Sequence, residues 1–432
     1  MYNKNKDFMQ YILFPPKDIN CRIDLPASKS ISNRALVINA LAHDDAEIIH
    51  PENLSRCDDT DVMVAALQKM PYVINIKAAG TAMRFMMALL SSREGEHILT
   101  GTERMMQRPI HVLVDALRTL GAEIDYVNHE GFPPLRIRGK KMEGGRIEIA
   151  GDVSSQYISA LLMIGPTMRN GLTLHLTGNI ISRPYIDLTV CTMKEFGAKV
   201  EWENGNTIMV SPQPYRNRVF TIENDWSASS YWYEMVALAS HLSTSADGEF
   251  QVVLPGLLDG SRQGDSAVRY IFSMLGVKTE FLDDGIRLTH HRRGLPRFDF
   301  DCINQPDLAQ TVVVTTALLG VHFRFTGLQT LRIKETDRIA ALKAEMAKLG
   351  YMLDDSEEGT LQWDGKRVSP RGDLEGAEID TYEDHRMAMA FAPACIMYPG
   401  LKINNPEVVT KSYPHYWDDL EKAGFEIVKN ED

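Results

Sequence analysis

Apolar stretches with helical spacing alternate along this chain with short segments rich in β-branched and aromatic residues. At five places the two kinds of segment meet in the same way. A helical stretch ends in an apolar residue, a glycine follows, and a β-type segment begins, as in LRTLGAEIDY and MKEFGAKVEW. We interpret each glycine as a left-handed cap that ends a helix before a strand. The five glycines are Gly121, Gly197, Gly276, Gly350 and Gly424.

These glycines recur roughly every 75 residues, and a period of this length indicates repeated supersecondary units. Coincidence is the alternative, because leucine and glycine often follow a helix, but the even spacing of five copies argues against it. A sixth, degenerate copy, LQKMPYVINI, has Pro71 in the glycine position and lies about 25 residues too close to Gly121. The pattern therefore predicts an α/β protein of six related units, three to a domain, with a first unit shortened by one hairpin.

Composition narrows the class of protein. The chain has 432 residues, which allows two or three domains, and 44% hydrophobic residues, an ordinary value for a globular protein. Its net charge of -12 does not indicate a nucleic-acid-binding surface, so an anionic ligand would need a local basic pocket. Five cysteines without CxxC spacing favour reduced thiols in the cytoplasm over disulfides or a zinc site. We expect neither a signal peptide nor a membrane-spanning segment.

Several predicted helices begin with small and polar residues followed by an apolar run, as in ASKSISNRA, AAGTAMRFM, DVSSQYISALL and YEDHRMAMAFA. The free N–H groups and the dipole of such a helix start favour bound anions. Simple N-capping by Ser, Thr or Asp is the alternative at each of them. Capping does not explain cations in the first turns, where the dipole disfavours them, whereas a bound anion does. These cations are Lys29, Arg34, Arg84 and Arg386.

Four further stretches carry charged residues next to predicted helices. GTERMMQRPI places Arg108 before one helix, and LRIKETDRIAAL places Lys334 four residues from Arg338, where the two would share one helical face. Asp307 precedes an apolar helix and is either an N-cap or a base for a hydroxyl proton. Lys411 lies in a loop bounded by prolines and would otherwise be an ordinary surface lysine. From the residues alone, we expect the protein to bind a small molecule that carries several negative charges.

Together these stretches resemble the 5-enolpyruvylshikimate-3-phosphate synthase family of enolpyruvyl transferases. The similarity rests on LPASKSISNRAL, GTAMR, RMMQRPI, SSQYISALLM, SRPYIDLT, KETDRIAAL, TYEDHRMAMAF and KSYP, which occur in the family's order. It implies a two-domain α/β (α+β) fold, an inside-out α/β barrel of six βαβαββ units, three per domain. Residues 1–26 and 225–432 would form the phosphoenolpyruvate side, and residues 27–224 the shikimate 3-phosphate side.

The resemblance also implies the reaction. The 5-hydroxyl of shikimate 3-phosphate adds to carbon 2 of phosphoenolpyruvate, a tetrahedral ketal forms, and phosphate leaves to give an enol ether. This is a step of chorismate and aromatic amino acid biosynthesis, and it needs no metal or organic cofactor. The family implies a cytoplasmic monomer that acts on these two small molecules, with no nucleic-acid or membrane partner.

The family's binding residues carry over to matching positions of this sequence. The implied shikimate 3-phosphate site comprises Lys29, Ser30, Arg34, Ser154, Ser155, Gln156, Ser182, Tyr185, Asp307 and Lys334. The implied phosphoenolpyruvate site comprises Lys29, Gly80, Arg108, Gln156, Arg338, Arg386 and Lys411. Within them, Ser30 and Arg34 would hold the shikimate carboxylate, the serines would bind the 3-phosphate with help from Lys334, and Gly80 would allow close backbone approach.

The implied catalytic residues are Lys29, Asp307, Glu335 and His385. Asp307 would be the base for the 5-hydroxyl, and Glu335 would protonate the methylene carbon, with Lys29 as the competing candidate. Glu335 would have to carry a proton at that moment, whereas the cations near it favour the carboxylate. Supporting roles in the cleft would fall to Asp59, Asp225 and His385.

The sequence departs from the family pattern at three positions. Ala78 replaces an asparagine and Phe85 replaces a proline, so affinity for phosphoenolpyruvate and sensitivity to glyphosate, an inhibitor of the family, are left open. Thr330 replaces another asparagine, which would weaken one phosphate contact. One alternative is the sister family that acts on UDP-N-acetylglucosamine, which commonly has a cysteine near the arginine that matches Arg108; GTERMMQRPI has none. The other is an inactive paralogue, which would lack the reacting residues present here.

Overall fold

The structure is a computed structural model that describes residues 9–42, 51–239, 242, 250–291, 295–368 and 376–431. Residues 1–8, assigned above to the first domain segment, and residues 43–50, part of the first predicted repeat, lie outside the described residues. The chain divides into two compact units. Unit 1 comprises Met1–Pro26, Asn224–Ser261 and Asp265–Asp432, and unit 2 comprises Ala27–Glu223 and Arg262–Gly264. The predicted boundaries differ from this division at Asn224 and at residues 262–264.

Helices and short strands alternate along both units. Among the described residues the helices are α1 (Lys29–Ala42), α2 (Asp58–Lys69), α3 (Gly80–Ser92), α4 (Glu103–Met106), α5 (His111–Thr119), α6 (Ser155–Ile164), α7 (Arg183–Glu195), α8 (Trp226–Leu238), α9 (Val268–Met274), α10 (Ala309–Leu318), α11 (Arg338–Lys348), α12 (His385–Phe391) and α13 (Tyr416–Lys422). The strands are β1 (Met9–Phe14), β2 (Asn20–Arg22), β3 (Val73–Asn75), β4 (Gly95–Thr100), β5 (Glu123–Tyr126), β6 (Leu135–Gly139), β7 (Gly145–Ala150), β8 (Leu172–Thr177), β9 (Val200–Trp202), β10 (Thr207–Val210), β11 (Gln251–Pro255), β12 (Val277–Leu282), β13 (Gly285–His290), β14 (Arg297–Asp301), β15 (His322–Thr326), β16 (Leu361–Trp363), β17 (Glu378–Ile379), β18 (Leu401–Asn404) and β19 (Glu426–Glu431).

Unit 2 contains two sheets with the same strand order, β3-β4-β6-β5 and β7-β8-β10-β9. In each sheet the first two strands are parallel and joined through a helix, and the last two are antiparallel neighbours, which is the order of a βαβαββ unit. Before β3 the described residues add only an isolated bridge between Glu52 and Thr221. The sequence predicted a shortened first unit in this region.

Unit 1 repeats the pattern with help from the first described segment of the chain. β2 pairs in parallel with β11 in the sheet β12-β13-β11-β2, and β1 lies between β18 and β19 in the sheet β17-β18-β1-β19. Leu13 of β1 faces Leu401 on one side and Ile427 on the other. A third sheet has the order β14-β15-β16. Strands from residues 9–22 therefore complete two sheets of unit 1.

The glycines that end the helices confirm the repeat predicted from the sequence. Each has a positive φ, from 84° to 104°, directly after α5, α7, α9, α11 or α13. Such a φ is natural for glycine and costly for residues with a side chain. In the sixth, degenerate copy, Met70 adopts the left-handed conformation (φ 38°) after α2, and Pro71 follows it.

The helices fill the interior and the strands face outward on one side. Nearly every residue of α3, α6, α8 and α10 is buried, whereas β7 alternates exposed Arg146 and Glu148 with buried Ile147 and Ile149. Each unit has its own hydrophobic core. These helices are therefore largely apolar, and polar residues are concentrated near their starts. No helix in the described ranges combines the length and apolarity needed to cross a membrane.

Candidate active site

In unit 2, the first turns of four helices lie together. Arg34 of α1 donates to the backbone oxygen of Tyr185 in α7 (3.1 Å) and to Ser159 Oγ in α6 (3.2 Å). Gln156, at the start of α6, donates to Thr81 Oγ1 at the start of α3 (3.1 Å). The structure thus brings three predicted residues, Arg34, Gln156 and Tyr185, into one helix cluster, in which Gln156 also contacts Thr81 of α3.

Arg34 is held by neutral groups. Its Nε donates to Thr189 Oγ1 (2.7 Å) and its Nη1 to the backbone oxygen of Ser30 (2.8 Å), in addition to the two bonds above. The ring of Phe85 lies 5.5 Å from its guanidinium carbon. No carboxylate lies within 4 Å of Arg34 among the described residues. Burial lowers the pKa of Arg34 to about 10, and only the Tyr185 side chain opposes this effect.

Lys29 is the first residue of α1 and pairs with a carboxylate of the same unit. Its Nζ lies 3.2 Å from Asp59 Oδ2, and both side chains are largely buried. Ser30 follows directly and is half-buried. The family resemblance implies a supporting role for Asp59, and the contact with Lys29 supplies a physical reason for one.

The predicted phosphate-binding serines stand at two helix starts. Ser154 is the N-cap of α6, where its Oγ accepts from the backbone N–H of Gln156 (3.4 Å), and Ser155 is the first helical residue. Ser182 immediately precedes α7, is buried, and has the left-handed conformation with φ 52°, which is unusual for a residue with a side chain. Tyr185 lies half-buried in the first turn of α7. These hydroxyls lie at the positive ends of two helix dipoles.

Gly80 begins α3 against two guanidinium groups. A Cβ on Gly80 would lie 2.9 Å from Nη1 of Arg108 and 3.4 Å from Nη1 of Arg84. Ala79, at the N-cap of α3, supplies no side-chain hydrogen bond, so this helix start lacks the capping that was the alternative explanation. A side chain at position 80 would displace Arg108, and this close approach explains why a glycine is needed at this position.

In unit 1, Arg338 is surrounded by carboxylates. Its Nε donates to Asp384 Oδ2 (2.7 Å), its Nη2 donates to Glu335 Oε2 (3.0 Å), and its Nη1 forms an ion pair with Asp307 Oδ1 (3.5 Å). Arg338 is 2% exposed and Asp384 is fully buried. Burial opposes the charge on Arg338, but the three carboxylates outweigh it and raise the pKa of the guanidinium above its ordinary value.

The remaining cations of unit 1 join the same network. Arg386 Nη2 donates to Asp307 Oδ2 (2.8 Å), and its Nη1 donates to the Asp307 backbone oxygen (3.1 Å). Lys411 Nζ donates to Glu335 Oε1 (3.2 Å). The 23% exposed side chain of Asp307 keeps it within reach of a ligand. The structure therefore brings five predicted residues of unit 1 into one cluster: Asp307, Glu335, Arg338, Arg386 and Lys411.

Two further predicted residues stand at the edge of this cluster. His385 is the buried first residue of α12, and its Nδ1 lies 3.8 Å from Asp384 Oδ1. Lys334 lies before α11, which begins at Arg338 behind the N-cap Asp337. The expectation that Lys334 and Arg338 share a helical face is therefore wrong. The helix begins only after Asp337, so Lys334 lies outside it.

Of three acidic residues near helix starts, Asp225 and Asp384 are N-caps and Asp307 is not. Asp225 Oδ1 accepts from the N–H groups of Ser227 and Ala228 at the start of α8. Asp384 caps α12 through the N–H of Arg386 (2.9 Å) and also binds Arg338. Asp307 is not a side-chain N-cap of α10, whose N-cap position is occupied by Leu308.

Sequence reasoning missed three residues that hold the predicted cations. Asp384 was visible in TYEDHRMAMAF, but only as a helix cap. Thr189 and Ser159 lie one turn beyond Tyr185 and Ser155 in their helices, and their contacts with Arg34 depend on how the helices pack. No local signal in the sequence distinguishes them from other small polar residues in buried helices.

Comparison with known proteins was made at the level of sequence and of fold. A family model described as EPSP synthase (3-phosphoshikimate 1-carboxyvinyltransferase) matches residues 13–75 and 68–420. The two matched pieces overlap at residues 68–75, around Pro71 of the degenerate copy, where the repeat spacing predicted a shortened first unit. A Bacteroides fragilis protein named 3-phosphoshikimate 1-carboxyvinyltransferase is 58% identical over 424 residues, which cover 98% of this chain and all of that protein. A Sulfurovum protein of the same name is 35% identical over 95% of this chain and 98% of its own length.

Solved structures support the fold. EPSP synthase from Acinetobacter baumannii matches with a TM-score of 0.75 and 21% identity, over 98% of this chain and 100% of that one. A second structure of the enzyme from the same organism gives a TM-score of 0.72 at 20% identity. The predicted two-domain α/β fold class is confirmed by this likeness.

Proposed function

Because this chain belongs to the EPSP synthase (3-phosphoshikimate 1-carboxyvinyltransferase) family, we propose that it transfers the enolpyruvyl group of phosphoenolpyruvate to shikimate 3-phosphate. The acceptor is the 5-hydroxyl, and the products are 5-enolpyruvylshikimate 3-phosphate and phosphate. This reaction serves chorismate and aromatic amino acid biosynthesis. The observation that carries the proposal is the cluster in unit 1, where two carboxylates, Asp307 and Glu335, both contact the buried Arg338.

The polar helix starts of unit 2 suit a phosphorylated hydroxy acid. We assign the 3-phosphate to Ser154, Ser155 and Ser182, because two helix starts there combine hydroxyl donors with the positive end of the helix dipole. Arg34 and Ser30 are assigned to the shikimate carboxylate. Lys334 stays a predicted ligand of the 3-phosphate, and Tyr185 and Gln156 stay predicted contacts of the same substrate.

Phosphoenolpyruvate carries a phosphate and a carboxylate, and the planar guanidinium group of arginine can bind either of them with two parallel hydrogen bonds. In unit 2 the proposed contacts are Arg108 and the backbone at Gly80. In unit 1 they are Arg338, Arg386 and Lys411, which already contact carboxylates of the protein. A bound anion would replace some of these protein carboxylates as partner of the cations. Binding would therefore weaken the ion pairs of Asp307 and Glu335.

The proposed chemistry assigns the two carboxylates of unit 1 to different proton transfers. Asp307 accepts the proton of the 5-hydroxyl as the oxygen bonds to carbon 2 of phosphoenolpyruvate, and carbon 3 gains a proton from Glu335 or from Lys29. In the second step the bond between carbon 2 and the phosphate oxygen breaks, carbon 3 returns a proton, and phosphate leaves. The arginines stabilise the anionic groups throughout. His385 and Asp59 have supporting roles, through Asp384 and Lys29 respectively.

A phosphate-release assay tests the function. The protein is mixed with phosphoenolpyruvate and either shikimate 3-phosphate or UDP-N-acetylglucosamine. We expect release with the first acceptor and none with the second. Release only with UDP-N-acetylglucosamine would favour the sister activity, and release with neither would favour an inactive paralogue.

The predictions of a cytoplasmic monomer without a nucleic-acid or membrane partner belong to the same proposal. Cysteine spacing that favours reduced thiols and a net charge of -12 support it. Light scattering during gel filtration should give the mass of one chain, 48.6 kDa. A larger mass would contradict the monomer.

A further inference from the structure

Tyr157 contacts the short segment that carries Arg108. It is the third residue of α6, is 8% exposed, and donates from its hydroxyl to the backbone oxygen of Pro109 (2.9 Å). Pro109 directly follows Arg108. Nothing in the sequence motifs assigned a role to this tyrosine.

The segment that carries Arg108 is short. It lies between α4, a helix of four residues, and α5, which begins at His111. Backbone bonds from Arg108 N to Met105 O (3.1 Å) and from Ile110 N to Gly131 O (2.9 Å) hold it within its own surroundings. The bond from Tyr157 to the carbonyl of Pro109 ties it in addition to α6, a largely buried helix.

The opposite side of Tyr157 packs against a second arginine. The guanidinium carbon of Arg84 lies 5.7 Å from the centre of the Tyr157 ring. Arg84 is 4% exposed, donates to the backbone oxygen of Gly80 (3.0 Å) and approaches Met105 Sδ (3.8 Å). No carboxylate of the described residues forms an ion pair with it, and its Nε is buried without a hydrogen-bond partner. Among the described residues, Arg84 is thus held by neutral groups: a ring, a backbone oxygen and a methionine sulfur.

Arg84 and Arg108 carry like charges and both reach Gly80, at 3.4 and 2.9 Å from a Cβ position there. Their like charges repel one another, which favours movement of Arg108 away from Gly80. A bond from Tyr157 to the adjacent backbone opposes that movement without adding negative charge. A carboxylate in its place would neutralise Arg108 and compete with the ligand.

We propose that Tyr157 is a positioning residue that holds Arg108 against Gly80 for the binding of phosphoenolpyruvate, an inference that rests on the proposed function. Its hydroxyl fixes the backbone next to Arg108, and its ring supports Arg84. Tyr157 itself contacts no substrate. Its loss acts through the affinity for the anion that Arg108 binds, rather than through the proton transfers of unit 1.

A matched pair of substitutions tests this role. Tyr157→Phe removes one hydroxyl and keeps the ring. Tyr215→Phe makes the same change at another buried tyrosine of unit 2, whose hydroxyl donates to the backbone oxygen of Met163 (2.7 Å). Each variant removes one hydrogen bond to a backbone carbonyl, at exposed Pro109 or at buried Met163. Tyr215→Phe should therefore lose at least as much thermal stability as Tyr157→Phe, which makes it a stringent control.

Steady-state kinetics with each substrate in turn separate the two variants. Tyr157→Phe should raise the KM for phosphoenolpyruvate about fivefold, the change expected from one hydrogen bond of ordinary strength. Its kcat and its KM for shikimate 3-phosphate should change by less than about twofold. Tyr215→Phe should leave all three parameters unchanged. Tyr157→Leu, which also removes the ring beside Arg84, should raise the KM for phosphoenolpyruvate further.

The outcomes distinguish the inference from the function on which it rests. An active wild-type enzyme with an unchanged KM for phosphoenolpyruvate in Tyr157→Phe, or an equal change in Tyr215→Phe, overturns the positioning role alone. A change confined to kcat also overturns it. A wild-type protein that releases no phosphate from the two substrates overturns the proposed function and this inference with it.

Discussion

The buried arginines of the two units are stabilised in different ways. In unit 2, Arg34 and Arg84 contact hydroxyls, backbone oxygens and aromatic rings. In unit 1, Arg338 and Arg386 contact carboxylates. Burial lowers the pKa of Arg34 to about 10, whereas carboxylates overcome burial and raise that of Arg338. The same residue type thus meets opposite electrostatic surroundings.

This difference indicates a division of labour. Cations with neutral partners keep their charge for an incoming anion, so the cluster of unit 2 is suited to binding. In unit 1, Arg338, Arg386 and Lys411 are matched by Asp307, Glu335 and Asp384. Carboxylates held in such a network accept and release protons as the cations around them move, so unit 1 is suited to proton transfer.

The largest expected difference is in stability. Arg338→Met leaves Asp384 buried without its cation and should lower the free energy of unfolding by about 3–5 kcal/mol. Arg34→Met leaves only neutral groups without a donor and should cost about 1–3 kcal/mol. Urea unfolding followed by circular dichroism measures both. Equal losses would mean that the carboxylates of unit 1 do not depend on Arg338.

The second effect is on turnover. Asp307→Ala should reduce kcat about 100-fold or more, because it removes the proposed base, while binding of shikimate 3-phosphate measured by calorimetry stays largely intact. Asp301→Ala is the control, since Asp301 lies six residues earlier and caps a short 3₁₀ helix at Cys302–Asn304. Unchanged turnover in Asp307→Ala would exclude its role as the base.

The third effect concerns a carboxylate of unit 1 that has no cation. Glu234 of α8 is fully buried, forms no salt bridge with any described residue, and has its pKa raised well above 4.5 by burial, against the effect of the nearby Thr315 hydroxyl. The folded state therefore keeps Glu234 protonated while the unfolded chain ionises. Stability should fall as pH rises above about 4.5, by about 1.4 kcal/mol per pH unit, until the folded-state pKa is reached.

Comparison with Glu234→Gln isolates this contribution, because glutamine has nearly the same shape and does not titrate. The difference in unfolding free energy between the variant and the wild type should grow in favour of the variant from pH 5 to pH 8. A constant difference across this range would mean that Glu234 is ionised in the folded protein.

The smallest effect tests the ring beside Arg34. Phe85→Leu removes the aromatic face 5.5 Å from the guanidinium and should raise the KM for shikimate 3-phosphate about threefold, with little change in the KM for phosphoenolpyruvate. Phe196→Leu is the control, since Phe196 is equally buried in unit 2 and packs against Phe220. An equal rise in both variants would assign the effect to packing rather than to Arg34.

The sequence predicted the features that depend on neighbouring residues. The glycine caps follow from local backbone conformation, so their spacing revealed the repeat. The cationic helix starts were equally visible, because helix polarity is a local property. Even here one local expectation failed, since the N-cap Asp337 starts α11 too late for Lys334 to belong to it.

The partners of the arginines depend on packing between distant stretches. Arg34 and Arg338 look alike in the sequence, each in a polar stretch before an apolar helix. Thr189 is 155 residues from Arg34, and Asp384 is 46 residues from Arg338. Helix packing alone determines that one arginine meets hydroxyls and the other a carboxylate, so the contrast between the two units could not be predicted from either stretch.

The pairing of β1 with β18 and β19 affects the order in which the chain folds during synthesis. Residues Ala27–Glu223 of unit 2 are contiguous and leave the ribosome well before the residues that complete unit 1. β1 emerges before unit 2, whereas its partners at Leu401 and Ile427 emerge after it. During translation of unit 2, β1 therefore has neither of its partner strands β18 and β19, and its sheet can form only after they have been synthesised.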